Sequence, residues 1–169
     1  HEIGYEDRRP TPAELERMQA LVRQSMREGA MGLSSALIYV PATFADTAEL
    51  VALASAAAEY GGLYISHIRN EGDQLLEAFD EFLAIARSAR IRAEVYHIKA
   101  SGQANWPQYA TLLDRIRALR EAGEPISADM YSYHASSTGL DSIMPPWVQE
   151  GGLRAWIDRL RDPAIRSRV

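Results

Sequence analysis

The strongest constraint on the fold is a regular alternation of strand-like and helix-like segments along the chain. Short apolar runs at residues 32–37, 63–68, 92–98 and 126–130 have the length and composition of buried strands. The last three begin roughly 30 residues apart, which is the span of one strand-plus-helix unit. This alternation predicts parallel strands joined by helical crossovers.

Caps and breakers mark the helices between these strands. Residues 11–14 read Thr-Pro-Ala-Glu, a capping box with proline at the first helical position, and Gly29 supplies a stop. Asp46 or Thr47 is predicted to cap a second helix that ends at Gly61 and Gly62. Further helices are predicted at residues 73–89, 105–123 and 153–161. The predicted order is therefore helix then strand, four times, followed by a helical tail.

Four parallel strands fit two α/β architectures. One is a small doubly wound sheet, and the other is a partial (β/α)8 TIM barrel, whose complete form takes about 250 residues. Because no linker-like or low-complexity segment interrupts the 169 residues, we expect a single domain over residues 1–169.

Composition excludes several classes of protein. The apolar fraction of 47% and the charged fraction of 24% are typical of a globular domain and exclude an intrinsically disordered chain. The net charge of −5 argues against a nucleic-acid partner, and no apolar run approaches the length of a membrane span. The absence of cysteine excludes disulfides and thiolate zinc sites. The absence of cysteine, together with the absence of a visible signal peptide, leads us to expect a cytoplasmic location.

Two histidines are the main candidates for chemistry. His67 and His97 are each predicted at the carboxyl end of a strand, in consecutive strand-plus-helix units. Neighbouring strands lie about 4.8 Å apart, so two such imidazoles can share one metal ion. The carboxyl edge is also where parallel α/β folds place their active sites. A packing role is the more common one for a single histidine, but the repeated position favours a metal site.

A cation follows each histidine at the same spacing. Arg69 lies two residues after His67, and Lys99 lies two residues after His97. Side chains two apart on a strand share a face, so both cations are predicted beside the metal, where they suit an anionic substrate group. Surface charges at strand ends are the competing interpretation. Glu71 follows in the next loop, where it is available to orient a ligand.

Other polar groups follow the fourth predicted strand. Tyr131, Tyr133 and several hydroxyl residues are candidates for hydrogen bonding to a substrate, although rim tyrosines are common without such a role. We interpret His134 as a loop residue rather than a third ligand, and His1 as unrelated to function. The sequence contains no phosphate-binding glycine loop, no Gly-x-Ser-x-Gly elbow and no His-Glu-x-x-His motif.

Several of these segments together resemble one known family. The run Gly-Gly-Leu-Tyr-Ile-Ser-His-Ile-Arg-Asn-Glu-Gly at 61–72 resembles the D-aminoacylase group (N-acyl-D-amino-acid deacylases) of the amidohydrolase superfamily. Gly-Leu-Ser-Ser at 32–35, Tyr-His-Ile-Lys-Ala at 96–100 and the segment 128–139 are similar to the same family. The resemblance extends over residues 4–152.

The resemblance implies a fold and a set of roles. The family fold is a metal-dependent (β/α)8 barrel, of which this chain would supply strands four to seven. His67 and His97 match the fifth- and sixth-strand metal ligands, and Lys99 and Tyr131 match positions that line the substrate pocket. The family's first-strand His-x-His pair, its metal-binding cysteine and its eighth-strand catalytic Asp have no counterpart here.

The function expected from this resemblance is part of a zinc-dependent hydrolase that cleaves the amide bond of small-molecule N-acyl-D-amino acids. His67 and His97 are expected to hold the metal, weakly in this chain, and Lys99, Tyr131 and Arg69 to contact substrate. We expect no activity from the chain alone and a homo-oligomer formed through exposed strand edges. The alternatives are a cyclic-amide hydrolase of the dihydroorotase or hydantoinase kind, or an inactive scaffold or binding module. Residues 32–37 contain no lysine, which counts against the cyclic-amide reading.

Overall fold

The computed structural model describes residues 2–133 and 135–169. His1 and His134, whose interpretations are given above, lie outside the described residues. In the described part, no helix is both long enough and apolar enough to cross a membrane.

The core of the fold is a four-stranded parallel sheet in the order β1-β2-β3-β4. Strands that are adjacent in the sheet are also consecutive in the chain. The strands are β1 Gly32–Ala36, β2 Leu63–His67, β3 Arg92–Val95 and β4 Ile126–Ala128. The helices are α1 Pro12–Arg27, α2 Thr47–Ala58, α3 Leu75–Ala89, α4 Trp106–Glu121, α5 Pro146–Gln149, α6 Leu153–Arg161 and α7 Pro163–Arg166.

The helices cover one face of this sheet. Tyr64 of β2 is fully buried and stacks on Phe82 of α3, at a ring-centroid distance of 5.9 Å. The alternate residues Ser34, Ile65 and Glu94, which are register partners on the opposite face, are exposed or half-buried. Right-handed crossovers in consecutive strand order place every helix on the same side of a sheet. A doubly wound sheet needs a reversal of strand order. The observed order therefore has the topology of a partial (β/α)8 barrel.

Local sequence signals explain where the helices begin. The Thr11 hydroxyl accepts a hydrogen bond from the Glu14 N–H, and the Glu14 carboxylate accepts one from the Thr11 N–H at 2.7 Å. The predicted capping box is thus confirmed. Asp46, one of the two candidates for the second cap, is the N-cap of α2 and accepts from the Glu49 N–H at 2.8 Å.

The hydrophobic core lies between the sheet and the helix layer. It is dominated by α3, whose Phe79 and Ile85 are fully buried, together with Ala54 and Ala57 of the alanine-rich α2. Small residues on α2 allow helix and sheet to approach closely. Gly32 allows β1 and β2 to approach closely in the same way. A Cβ added at Gly32 would lie 2.0 Å from the Leu63 carbonyl oxygen of the adjacent strand.

The predicted strand ends are wrong at the carboxyl edge. The strands predicted at 63–68, 92–98 and 126–130 stop at His67, Val95 and Ala128. After β3 the chain turns at Tyr96 and His97, and the Ile98 N–H then bonds the Asp129 carbonyl at 2.9 Å. Ile68 and Ile98 remain buried beyond the ends of β2 and β3, so composition alone overestimates strand length there.

Candidate metal centre

His67 occupies the position that the sequence predicts. It is the last residue of β2, paired in register with Ala36 of β1, and only 9% of its surface is exposed. Burial is the main cause that lowers the pKa of the His67 imidazole. The neighbouring His97 and Lys99 act in the same direction, while Glu71 opposes them. The ring is therefore kept neutral, which is the form that ligates metal ions.

His97 reaches the same place by a different route from the one predicted. It lies two residues beyond β3, in a turn with a positive φ of 36°, and not at the end of a strand. Its N–H donates to the Asp129 carboxylate at 2.5 Å. A non-glycine residue in this backbone region is uncommon and needs support from its surroundings. Asp129 supplies that support by holding the His97 backbone in this conformation.

The two imidazoles are in direct contact. His67 Nδ1 and His97 Nε2 are 2.9 Å apart, and the ring centroids are separated by 4.5 Å. Glu71 Oε1 lies 3.2 Å from His97 Nδ1 and 3.8 Å from His67 Nε2. One ligand atom from each of His67, Glu71 and His97 falls within 4.8 Å of the others. The sequence predicts two ligands, and the structure adds Glu71 as a third potential donor.

One atom of this cluster points to a further ligand. Among the described residues, His67 Nε2 is buried and has no hydrogen-bond partner. A buried polar atom without a partner costs about 1–3 kcal/mol, so native structures rarely keep one unless a bound group satisfies it. Two imidazoles and a carboxylate are the donor set that zinc accepts at catalytic sites. The residues therefore fit a zinc ion.

Lys99 and Tyr131, both predicted substrate contacts, lie beside this cluster. Lys99 Nζ donates to Glu71 Oε1 at 2.7 Å and contacts His97 Nδ1 at 2.6 Å. The same ammonium group is 5.5 Å from the centre of the Tyr131 ring. The structure thus brings Lys99 and Tyr131 together with His97, at the carboxyl edge of the sheet.

Arg69 is engaged elsewhere. Its guanidinium forms two hydrogen bonds to the Glu81 carboxylate of α3, at 2.7 and 2.9 Å. It also donates to the carbonyls of Thr43 and Ala45, at 2.8 and 2.9 Å. Because β2 ends at His67, strand alternation does not extend to Arg69 and does not place it beside the histidines. The structure brings Arg69 to the loop after β1 instead.

A cavity of about 650 Å³ opens above the cluster. Its lining includes the candidate residues His67, Glu71, His97, Lys99 and Tyr131. The loops after β1 and β4 meet at its edge, where the Tyr39 hydroxyl and Thr138 hydroxyl are 2.5 Å apart. This volume is ordinary for a small-molecule site.

Three residues of the site had weak signals in the sequence. Glu71 lies in the run at 61–72, where the sequence predicts only that it orients a ligand. Asp129 follows a predicted strand, and no pattern distinguishes it from other strand-end carboxylates. Tyr39 lies in a loop rich in aromatic residues, where the sequence contains no spacing that would select it.

Comparison with known proteins gives a consistent result. No family model matches the chain. An N-acyl-D-glutamate deacylase of Alcaligenes xylosoxydans xylosoxydans is 40% identical over 131 residues, covering 78% of this chain and 27% of the enzyme. This chain therefore spans little more than a quarter of that relative.

Solved structures show the same partial match. A zinc and phosphonate-inhibitor complex of N-acyl-D-glutamate deacylase from Bordetella bronchiseptica aligns with a TM-score of 0.70 at 40% identity, covering 73% of this chain and 26% of that one. D-aminoacylase, described as an amidohydrolase, aligns with a TM-score of 0.71 at 31% identity, covering 75% and 27%. A further D-aminoacylase structure is described in terms of a binuclear metal centre. By sequence and by fold, this chain is homologous to a partial barrel region of the D-aminoacylase group of amidohydrolases.

Proposed function

We propose that this chain is the metal-binding part of an enzyme that hydrolyses the amide bond of N-acyl-D-amino acids, releasing a carboxylate and a free D-amino acid. The observation that carries the proposal is the cluster of His67, His97 and Glu71 at the carboxyl edge of a parallel barrel sheet. Homology to N-acyl-D-amino-acid deacylases supports the reaction class.

Zinc is the metal we propose, held by His67 and His97 with Glu71 as a third donor. The nitrogen and oxygen donors and the unpartnered His67 Nε2 support this choice. When bound, zinc supplies a Lewis acid that polarises a carbonyl oxygen and lowers the pKa of an attacking water. Asp129 holds the turn that carries His97 through the 2.5 Å hydrogen bond from the His97 backbone N–H.

Lys99 and Tyr131 are proposed to bind the substrate. The Lys99 ammonium lies in the cavity wall beside the histidines, where it can pair with a carboxylate of an N-acyl amino acid. Tyr131 borders the same space and presents a ring and a hydroxyl. For Arg69, the contacts favour a positioning role, because it holds the Thr43 and Ala45 carbonyls of the loop that carries Tyr39 into the cavity.

Zinc titration by calorimetry on the chelator-treated chain tests the metal assignment. We expect weak binding that disappears in the His67→Ala, His97→Ala double variant. Lys99→Met is the matched control, because it alters a cavity residue without removing a proposed ligand, and it should keep zinc binding. Undiminished binding in the double variant would refute the assignment.

A chimera tests the reaction. The matching segment of the N-acyl-D-glutamate deacylase of Alcaligenes xylosoxydans xylosoxydans is replaced by this chain's residues over the region of likeness. We expect N-acyl-D-glutamate hydrolysis by the chimera and its loss when His97→Ala is added. A folded, zinc-loaded chimera without activity would contradict the proposed function.

A further inference from the structure

A second cavity lies on the helix side of the molecule. Its volume is about 330 Å³, and it is open to solvent on one side and lined by the N-terminal segment, α1, the loop after β1 and α2. None of its described lining residues belongs to the lining of the cavity above His67 and His97. Most of its wall is apolar, formed in part by Met18, Leu21, Val22, Phe44 and Leu53.

A buried carboxylate lines this apolar space. Glu49, in the first turn of α2, is only 9% exposed. Its N–H is capped by Asp46, but among residues 2–133 and 135–169 its carboxylate forms no hydrogen bond and no ion pair. The Glu49 carboxylate is thus partly desolvated and has no partner among these residues, which disfavours its charged form.

The nearby arginines are already paired with other carboxylates. Arg8 bonds Glu14 at 2.7 Å, Arg9 pairs with Asp46 at 2.8 Å, and Arg17 pairs with Glu2 at 2.6 Å. Of the described lining residues, three are acidic and one, Arg8, is basic. Glu2 pairs with Arg17 and Glu6 with Arg8, so among the described lining residues Glu49 is the acid without an ion pair. The cavity therefore has an apolar wall with one unpaired carboxylate.

We propose that this cavity is a binding site for a small organic cation, an amine with an apolar body, whose ammonium group pairs with Glu49 while the body packs on Met18, Leu21 and Phe44. The volume lies at the lower end of the roughly 300–1,000 Å³ range of ligand pockets, which suits a one-ring or short-chain amine. Ammonium donors to a partly desolvated carboxylate form the stronger class of hydrogen bond.

The surroundings of the Glu49 carboxyl disfavour its charged form. Burial raises the pKa of Glu49, and the neighbouring Asp46 carboxylate adds to the effect. A cation bound at the carboxylate would offset both causes. The site does not involve the histidine cluster, so its occupancy is independent of the hydrolase function proposed above.

Three probes that share a phenylethyl body and differ in charge test the proposal. Their binding is measured by calorimetry at neutral pH without added metal. They are phenethylamine, which is cationic, 2-phenylethanol, which is neutral, and 3-phenylpropanoate, which is anionic. We expect the amine to bind most tightly and the anion to bind least. The Glu49→Gln variant should lose about tenfold or more of the amine affinity while its affinity for the alcohol stays unchanged.

Two further variants complete the design. Glu16→Gln removes the same charge from an exposed position on α1 and should bind the amine as the unmodified chain does. Leu21→Trp, at a residue that is 45% exposed, fills the cavity edge and should abolish binding of both amine and alcohol. Circular dichroism checks each fold, and Leu21→Trp decides the question if Glu49→Gln does not fold. Equal affinity for amine and alcohol, undiminished amine binding in Glu49→Gln or Leu21→Trp, or no amine binding at all would overturn the proposal.

Discussion

At the scale of single residues, the candidate site depends on a few polar contacts that hold two imidazoles together. His97 has a positive φ and a hydrogen bond to Asp129, and Glu71 is shared between the histidines and Lys99. Lys99 and a metal ion would compete for the same Glu71 oxygen. We therefore expect metal binding and substrate binding to be coupled at Glu71.

Replacing Glu71 tests its role as a ligand. Glu71→Gln keeps the size of the side chain and removes its charge, so we expect zinc affinity to fall by about tenfold or more. Glu77→Gln, an exposed position on α3, is the control and should leave affinity unchanged. Calorimetric titration measures both. If the two variants bind zinc equally well, Glu71 is not a ligand.

Glu49 should show a pH-dependent effect on stability. Burial raises its pKa in the folded chain, so at neutral pH the charged form opposes folding. Glu49→Gln is therefore expected to raise the free energy of unfolding at pH 7. As pH falls through the raised pKa toward the unfolded value of about 4.3, protonation relieves the penalty and the two proteins should converge. Urea denaturation across this range measures the difference, and a constant difference would contradict the assignment.

At the scale of elements, short-range signals determine where helices start. The α1 capping box joins Thr11 and Glu14, and Arg8 bonds the same Glu14 carboxylate. These hydrogen bonds hold the pKa of Glu14 well below its usual range. Since such a group stabilises the fold only while ionised, its contribution is lost as pH falls into the strongly acidic range.

The capping box should contribute measurably to stability. Thr11→Ala removes the hydroxyl that accepts from the Glu14 N–H and is expected to lower the free energy of unfolding by about 1 kcal/mol. Thr111→Ala, at an exposed position inside α4, should be neutral or slightly stabilising, because alanine is the better helix former. Chemical denaturation compares them. Equal effects would mean that the cap is frayed in solution.

At the scale of the whole molecule, the partial barrel has two sheet edges. Among the described strands, β1 and β4 each pair on one side only. The open face of the sheet is mixed in character, because beside Leu63 and Ile65 it carries Ser34, Glu94 and Ser127, with Glu94 accepting a hydrogen bond from Ser127 at 2.7 Å. We therefore expect self-association to depend on the strand edges more than on burial of this face.

Edge pairing predicts a homo-oligomer. Strand edges with free N–H and C=O groups are templates for another chain, so we expect a dimer or larger assembly at micromolar concentration. Light scattering measures the mass. Glu94→Arg, which changes the open face but not an edge, should leave the assembly unchanged if the edges drive it. A well-behaved monomer would show that the edges are protected.

Catalysis by this chain alone is a separate expectation. The match covers 27% of an N-acyl-D-glutamate deacylase, and the first-strand histidines and catalytic Asp expected from the family have no counterpart here. Such groups contribute several orders of magnitude in rate. We expect no detectable hydrolysis of N-acetyl-D-glutamate or N-acetyl-D-methionine by the zinc-loaded chain. Robust turnover in a spectrophotometric assay would show that these residues suffice.

The amino-acid sequence by itself determined what depends on local interactions. The alternation of elements, the capping box at Thr11, the Asp46 cap and the position of His67 at a strand end were all predictable, because each depends on periodicity or on side chain to backbone bonds between near neighbours. The parallel pairing followed from the same alternation.

Only the tertiary structure decided what lies beyond the strand ends. Composition cannot show that β3 stops at Val95, since Ile98 stays buried after the turn, and the hydrogen bond from His97 to Asp129 joins residues 32 positions apart. Strand alternation fixes side-chain direction only while the strand continues. Beyond the strand end, contacts with residues distant in the chain determine where each side chain lies. Glu71 therefore lies beside the histidines, and Arg69 pairs with Glu81.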